Sequence, residues 1–591
     1  MKITRFFSFF LFGCILSGAA SCVQQNPEFG YSFIPDNERF VTCHVQIPLD
    51  KIYVSMADSL SAYNTQRFTI GAIDSPTFGL NRHTSAFTII PMNTEMEWGK
   101  NIRNIRMRMT ATKDTISVSD PSQASIIQNI RVYPLQERDI VLDSTMLYSN
   151  QLTKAMFDGC TSISKGVPTY DGGKYLEIEF TEAFARQYLK DENGDSWEGR
   201  TQTVEDAAKY SKTLPGIFIC TDDPGRGQRS GRINMFTSRT EIDSNGGISG
   251  TFIEYDFTAE YGDRTVDTVF FFSVGATSVY SAKEAIEYKA FNCSEHESFT
   301  LAEDGRFGAK EMFNKKAYYL TGDKIQIEGG CGLKPVIRAV DIRNAVAKAV
   351  KDTLAKYGLD DVETAFLQKQ IFINKASIKL PFEAPSGIKG YEFLPKYLNP
   401  TLRVSAKTDE NEKVVAYGGI TDARVSDENQ GDINYSTSCY KPDIANHLQE
   451  ILATDPTDAE SGMKKLQRED LWFFILADET ITTTTVSSGS DYDYSQLAYL
   501  NYYNNMLAGG YGYGYGSYGY GYDSYSNYYN YMMMQSLMSS ASEGNSSSVV
   551  TTTLDVDRYY DASLTGHSDV AASIHPKLEL VYSFLRHDSL N

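Results

Sequence analysis

The chain has 591 residues, 41% hydrophobic and 22% charged, enough for two to four packed domains at about 150 residues each. Its 75 acidic against 55 basic residues leave a net charge of -20, a sign that repels phosphate backbones and excludes a nucleic-acid-binding function. Seven histidines, no two of them close in sequence, offer little for a histidine metal centre, and no cofactor or metal is expected.

Lys2 and Arg5 precede an apolar run from Phe6 to Ile15, followed by Ser17, Gly18, Ala19, Ala20 and Ser21 and then Cys22. Charge, apolar stretch and small residues in that order read as a secretory signal over residues 1–21, too short to span a bilayer permanently. A cysteine directly after small residues resembles a bacterial lipobox, so Cys22 is the expected lipidation site, with outer-membrane lipid as its partner. The alternatives are cleavage after Ala20 or Ser21 with Cys22 unmodified, and processing at Cys14, which leaves apolar residues behind. Six further cysteines are scattered with no CxxC pair and read mainly as small buried apolar residues.

The polar stretch after Cys22 predicts a tether over 22–48, ahead of an N-terminal β-rich domain over 49–320. Arg67 to Ile70 and Ser85 to Ile90 flank the Asp74 to Gly79 turn, and Ile130 to Leu135 is a further strand. Lys174 to Phe180 alternates strictly and predicts a half-buried strand. Ile217 to Cys220, Gly231 to Phe236, Thr251 to Tyr255 and Val266 to Val274 continue the series, the last apolar enough to be central.

A C-terminal β-rich domain is expected over 321–591. Ile342, Val346, Val350, Leu354 and Tyr357 recur at helical spacing before Gly358, which predicts an amphipathic helix over 338–357. Short helices are expected at 442–452 and 459–466, with strands at 371–380, 401–406, 471–476, 549–556 and 578–584. The fold class is therefore mainly β, with two β-sandwich-like domains and a few short helices in the C-terminal half.

Residues 487–548 break this pattern, holding 15 of the 39 tyrosines and no Lys or Arg. The Tyr/Gly alternation predicts a disordered insertion between two strands. Tyr511, Tyr513, Tyr515, Tyr518 and Tyr520 are its candidate contacts for a glycan or a protein, because each pairs a flat ring with a hydroxyl. A GxGxxG match at 514–519 follows from the repeat itself and carries no dinucleotide site.

Three other motifs carry weak signals. Asp191 to Glu198 presents alternate oxygens but lacks the Gly and Glu of a calcium loop, so a solvated acidic turn is expected. Pro224 to Arg232 reads as a basic hairpin loop whose arginines could hold an anion. Glu295-His296-Glu297 reads as an exposed loop rather than a metal cluster.

Several blocks taken together are similar to a Bacteroidota envelope lipoprotein family known as domain of unknown function 4270. They are Asp58 to Leu60, Ile70-Gly71, Asp74 to Gly79, Thr84 to Ala86, Val132 to Leu135, Leu214 to Ile219, Ile373 to Ile378, Leu380-Pro381 and Pro576 to Tyr582. The resemblance implies a β-sandwich-like envelope lipoprotein at the outer membrane with no enzymatic site to carry over, the Tyr/Gly insertion being a departure. Surface export in that phylum usually accompanies acids right after the lipidated Cys. Here the first is Glu28, so the periplasmic or cell-surface face is left open.

The leading expectation is a non-catalytic, lipid-anchored protein that binds or scaffolds an outer-membrane barrel or a secretion or assembly machine. The alternatives are a glycan-binding or glycan-degrading surface lipoprotein, and a structural coat or adhesin working through the Tyr/Gly loop.

Overall fold

The computed structural model describes residues 39–585 with gaps, the longest being 136–151, 207–215, 259–271, 309–317, 385–393, 484–546 and 567–573. The chain begins with β1 (Phe40–Pro48) and β2 (Tyr53–Met56), then enters a first body. That body is built from β3 (Arg67–Ser75), β4 (Gly79–Phe87), β5 (Lys100–Ser117), β6 (Gln128–Leu135) and β7 (Tyr175–Glu179). It is completed by β8 (Gly216–Thr221), β9 (Ser230–Thr237), β10 (Ile248–Thr258) and β11 (Ala290–His296). The strand order is β10-β5-β9-β3-β4-β8-β6, with β7 also on β5 and β11 also on β4.

The second body takes β12 (Lys324–Glu328), β13 (Leu333–Ile337), α1 (Ala339–Ala355), α2 (Val362–Leu367), β14 (Ile371–Pro381), β15 (Tyr397–Lys407) and β16 (Lys413–Gly419). Then follow α3 (Ala445–Leu452), α4 (Gly462–Arg468), β17 (Leu471–Thr483), β18 (Ser547–Leu554), β19 (Asp561–Thr565) and β20 (Lys577–Leu585). One sheet runs β1-β20-β14, a second runs β2-β13-β17-β15-β16 with β18 on β17, and β12 pairs with β19. The named strand pairs are antiparallel, so the protein is mainly β with few helices.

Each element follows from its pattern. Along β5, Ile105, Met107 and Met109 are buried while Arg106 and Arg108 point outward to Glu254 and Glu177. On α1 the stripe Ile342, Val346, Val350 and Leu354 is buried against the second core, and Gly358 follows at φ 79°. The α1 start has no cap of its own, and Asp470 supplies one: its Oδ1 accepts from Ala339 N at 2.9 Å.

Two expected boundaries are corrected. The tether does not reach residue 48, because Phe40–Pro48 is a strand paired along its whole length with β20. Its alternation buries Ile47 and half-buries Val41, Cys43 and Val45 against the α1 core. The N-terminal domain does not start at 49 either, because β2 pairs with β13 and so belongs with the C-terminal strands. Of the expected strand at 266–274, only Phe272–Ser273 is described as strand. The 487–548 insertion lies outside the described residues apart from its last two, which open β18.

Candidate functional site

Shifted titratable groups gather where the two bodies meet. The turn between β12 and β13, Glu328-Gly329-Gly330-Cys331-Gly332, presses against β4 and β11. Its glycines are demanded by space: a Cβ on Gly329 would lie 1.9 Å from the Arg558 carbonyl oxygen, and one on Gly332 would lie 2.3 Å from Glu328 Oε2. Glu328 Oε1 lies 2.9 Å from His296 Nδ1 and accepts from Asn81 Nδ2 at 3.1 Å. Cys331 Sγ lies 2.8 Å from Ser294 Oγ. Lys334 Nζ donates to the carbonyls of Glu328 at 2.6 Å and Gly332 at 3.2 Å. Close by, Asp555 Oδ2 accepts from Arg558 Nη1 at 3.0 Å and from the Tyr560 hydroxyl at 2.8 Å.

Burial works against the charge on His296, yet Glu328 and then Cys331 outweigh it and raise the imidazole to about 10. Burial also lifts the Cys331 thiol, but the His296 imidazolium more than reverses this, and the thiol sits below its ordinary value. Lys334 is brought down to about 8 by burial. His83, buried and facing the positive His296, falls to about 3 and stays neutral. Burial favours protonated Asp555, but Arg558 and Arg67 hold it below the usual carboxylate range.

A thiol, an imidazole and a carboxylate within reach form the layout of an activated nucleophile. Burial decides against that use here: Cys331 is 1% exposed and His296 6%, so a substrate has no face of the sulfur to approach. The cluster instead clamps the two bodies through paired charges that must stay together once desolvated. Among the described residues no group of three or more His, Cys, Asp or Glu is arranged to hold a metal ion.

Cys22 and the tyrosines Tyr511, Tyr513, Tyr515, Tyr518 and Tyr520 lie outside the described residues. Two expectations are corrected. His296 is not in an exposed loop but ends β11 inside the junction, because its partner Glu328 arrives from a distant strand. Arg232 is not part of an anion-holding loop, since β9 carries it inward to Gln128 Oε1, Asn234 Oδ1 and the carbonyls of Ala124, Tyr170 and Asp171. The Asp191 turn satisfies itself: its carboxylate accepts from Asn193 N, Asp195 N and Arg200 Nη1 at 2.9, 2.9 and 2.7 Å. Of the six further cysteines, Cys220, Cys293, Cys331 and Cys439 are buried like small apolar residues, whereas Cys43 is half-buried and Cys160 exposed.

The accessible feature is the edge of β1. This strand ends its sheet, and among the described residues nothing pairs with its other side. From Phe40 to Ile47 it carries no Asp, Glu, Lys or Arg, and its register with β20 runs unbroken by any bulge. Natural sheets guard long edges with charge, bulge or proline, and here only Pro48 at the end does so. At that end a groove of about 530 Å³ lies between Gln46–Lys51 and α1, lined by Ile47, Leu49, Ile337, Ile342 and Ala345 and bordered by the Lys51–Asp341 ion pair at 3.3 Å. Sequence reading missed this strand although Val41, Cys43, Val45 and Ile47 already alternate with polar residues.

No protein-family model, no curated protein and no solved structure matches the chain.

Proposed function

We propose that the protein is a non-catalytic, lipid-anchored envelope protein of the family resembling domain of unknown function 4270, held at the outer membrane through Cys22. It scaffolds an outer-membrane protein by taking an extended segment of that partner onto β1. The observation that carries this reading is the uncharged, unbulged edge of β1 beside an apolar groove, the combination used in strand addition. Backbone groups along such an edge supply affinity, and the groove supplies selection by side chain. The titratable cluster supports the same reading, because its nucleophile and base are spent on joining the two bodies.

Capture of partners by the full-length chain from mildly solubilised outer membrane tests it, with Cys22→Ala, His44→Pro and Val45→Pro as variants. Backbone N–H groups alternate between the two sides of an antiparallel strand. One proline therefore removes a bond to β20 and lowers the melting temperature, while the other removes an open-edge N–H. The second should abolish capture of a near-stoichiometric partner at unchanged melting temperature. Capture that survives both prolines refutes binding at this edge, and a chain that returns alone refutes the scaffold.

A further inference from the structure

The outer face of the β1-β20-β14 sheet is polar over most of its length. Thr42 and Gln46 of β1 lie opposite Ser583 and Glu579 of β20, with His44 opposite the half-buried Val581, and Lys375 and Lys379 continue the rows on β14 on either side of Ser377, which is buried against Asp443. The end where the chain enters is different. Phe40 is 49% exposed, its cross-strand partner Leu585 is 37% exposed, and Phe372 is 45% exposed. Phe40 and Phe372 meet edge to face with ring centroids 5.7 Å apart. Of all the described exposed apolar side chains, these three share one rim.

Two further observations say what covers that rim. The chain outside the structure ends there: Val23 to Arg39 is all that separates Cys22 from Phe40, a reach of at most about 60 Å when fully extended. The rim is also flanked by cations in an acidic protein. Arg39 precedes Phe40, Lys369 lies just before β14 in a loose ion pair with Glu450 at 3.9 Å, and Lys356 ends α1 beside Tyr357, whose ring packs on Phe584 at 5.4 Å. Exposed aromatic and aliphatic groups ringed by Arg and Lys suit the headgroup and upper acyl region of an anionic phospholipid bilayer.

We infer that Phe40, Phe372 and Leu585 form a bilayer-seating rim, which holds the second body upright on the membrane with the β1 edge rising away from it. The inference rests on the lipid-anchor reading of Cys22 and adds an orientation to it. Seated this way, the groove at Gln46–Lys51 stands about 20–30 Å above the lipid, the length of the strand between them.

The test replaces residues 1–22 with a histidine tag and holds the chain on nickel-chelating lipid in phosphatidylethanolamine–phosphatidylglycerol vesicles, so that the N-terminus is at the bilayer whatever the fate of Cys22. Tryptophan is introduced by Phe372→Trp or, at the far end of the same face, Gln46→Trp, and quenching by brominated acyl chains is read against the buried Trp98, Trp197 and Trp472. The F372W emission should be quenched at least twofold and shifted to the blue, and the Q46W emission should not change. A chain with both Phe372→Trp and Phe40→Ser should lose most of the quenching at unchanged far-ultraviolet circular dichroism. Quenching at both positions, or at neither, overturns the rim. Mass spectrometry of the native Cys22 peptide judges the anchor separately, so either reading can fail without the other.

Discussion

Glu328→Gln probes the clamp between the two bodies with almost no change of shape. Both side chains of the His296–Glu328 pair are 0% exposed, so removing one charge leaves the other without its counterion in a dry site. His296 is raised from 6.5 to about 10, and each unit is worth about 1.4 kcal/mol, so the group contributes on the order of 4 kcal/mol at pH 7. That agrees with the 3–5 kcal/mol (roughly) that breaking a buried pair costs. The sign is fixed by linkage: a raised histidine stabilises fully below about 6.5, and the contribution fades as pH rises through about 10. His296 removes about 3 kcal/mol between pH 7 and 9.5, and Lys334, held down at about 8, gives part of that back as it deprotonates, so urea unfolding followed by tryptophan fluorescence should show a smaller net loss in wild type. The E328Q chain should begin about 4 kcal/mol lower and lose most of that slope, retaining what Cys331 still contributes. An unchanged urea midpoint, or a full slope in the variant, would refute the charge-clamp account.

Two more outcomes follow from the cores. Burial pushes the Asp470 carboxyl up to about 6, so its contribution is complete below about 3.8 and is lost as pH rises through 6. Asp470→Asn keeps an oxygen for Ala339 N and removes the buried charge. Its melting temperature should exceed wild type at pH 7.5, by up to ~3 kcal/mol of stability, and match it at pH 4. Thr483 and Ser547 are cross-strand neighbours on β17 and β18, so replacing 484–546 with Asn-Gly closes a short hairpin. By loop-closure entropy this should leave the fold intact and add up to ~3 kcal/mol, measured by thermal melting. Loss of surface adhesion in that same chain would favour the coat or adhesin reading through Tyr511 to Tyr520.

Local periodicity made the secondary structure legible, and long-range pairing hid the rest. The alternation Tyr175–Glu179 and the apolar stripe of α1 could be read because each depends only on its own neighbours. The 18-residue β5 passed unread, because the charges that alternate with its buried face, Arg106 and Arg108, are answered only by Glu254 and Glu177 from other strands. The junction could not be foreseen at all. Asn81 and Glu328 are 247 positions apart, and nothing near either predicts a buried carboxamide–carboxylate contact. Arg232 misled for the same reason, because a fully buried guanidinium satisfied by carbonyls looks in sequence like any loop arginine.

The pairing of β1 with β20 also sets the order in which the molecule can be finished. Gln46 accepts a hydrogen bond from Lys577, 531 positions along the chain, so the first of the described strands waits for the last of them. The first body draws its strands from 67 to 296 and can close while synthesis continues. The second cannot complete its β1-β20-β14 sheet until residue 585 has been delivered. A chain truncated before β20 would leave β1 and β14 without the strand that joins them, so partial copies carry two newly uncovered edges, beside the one β1 already has, that quality-control proteases can recognise.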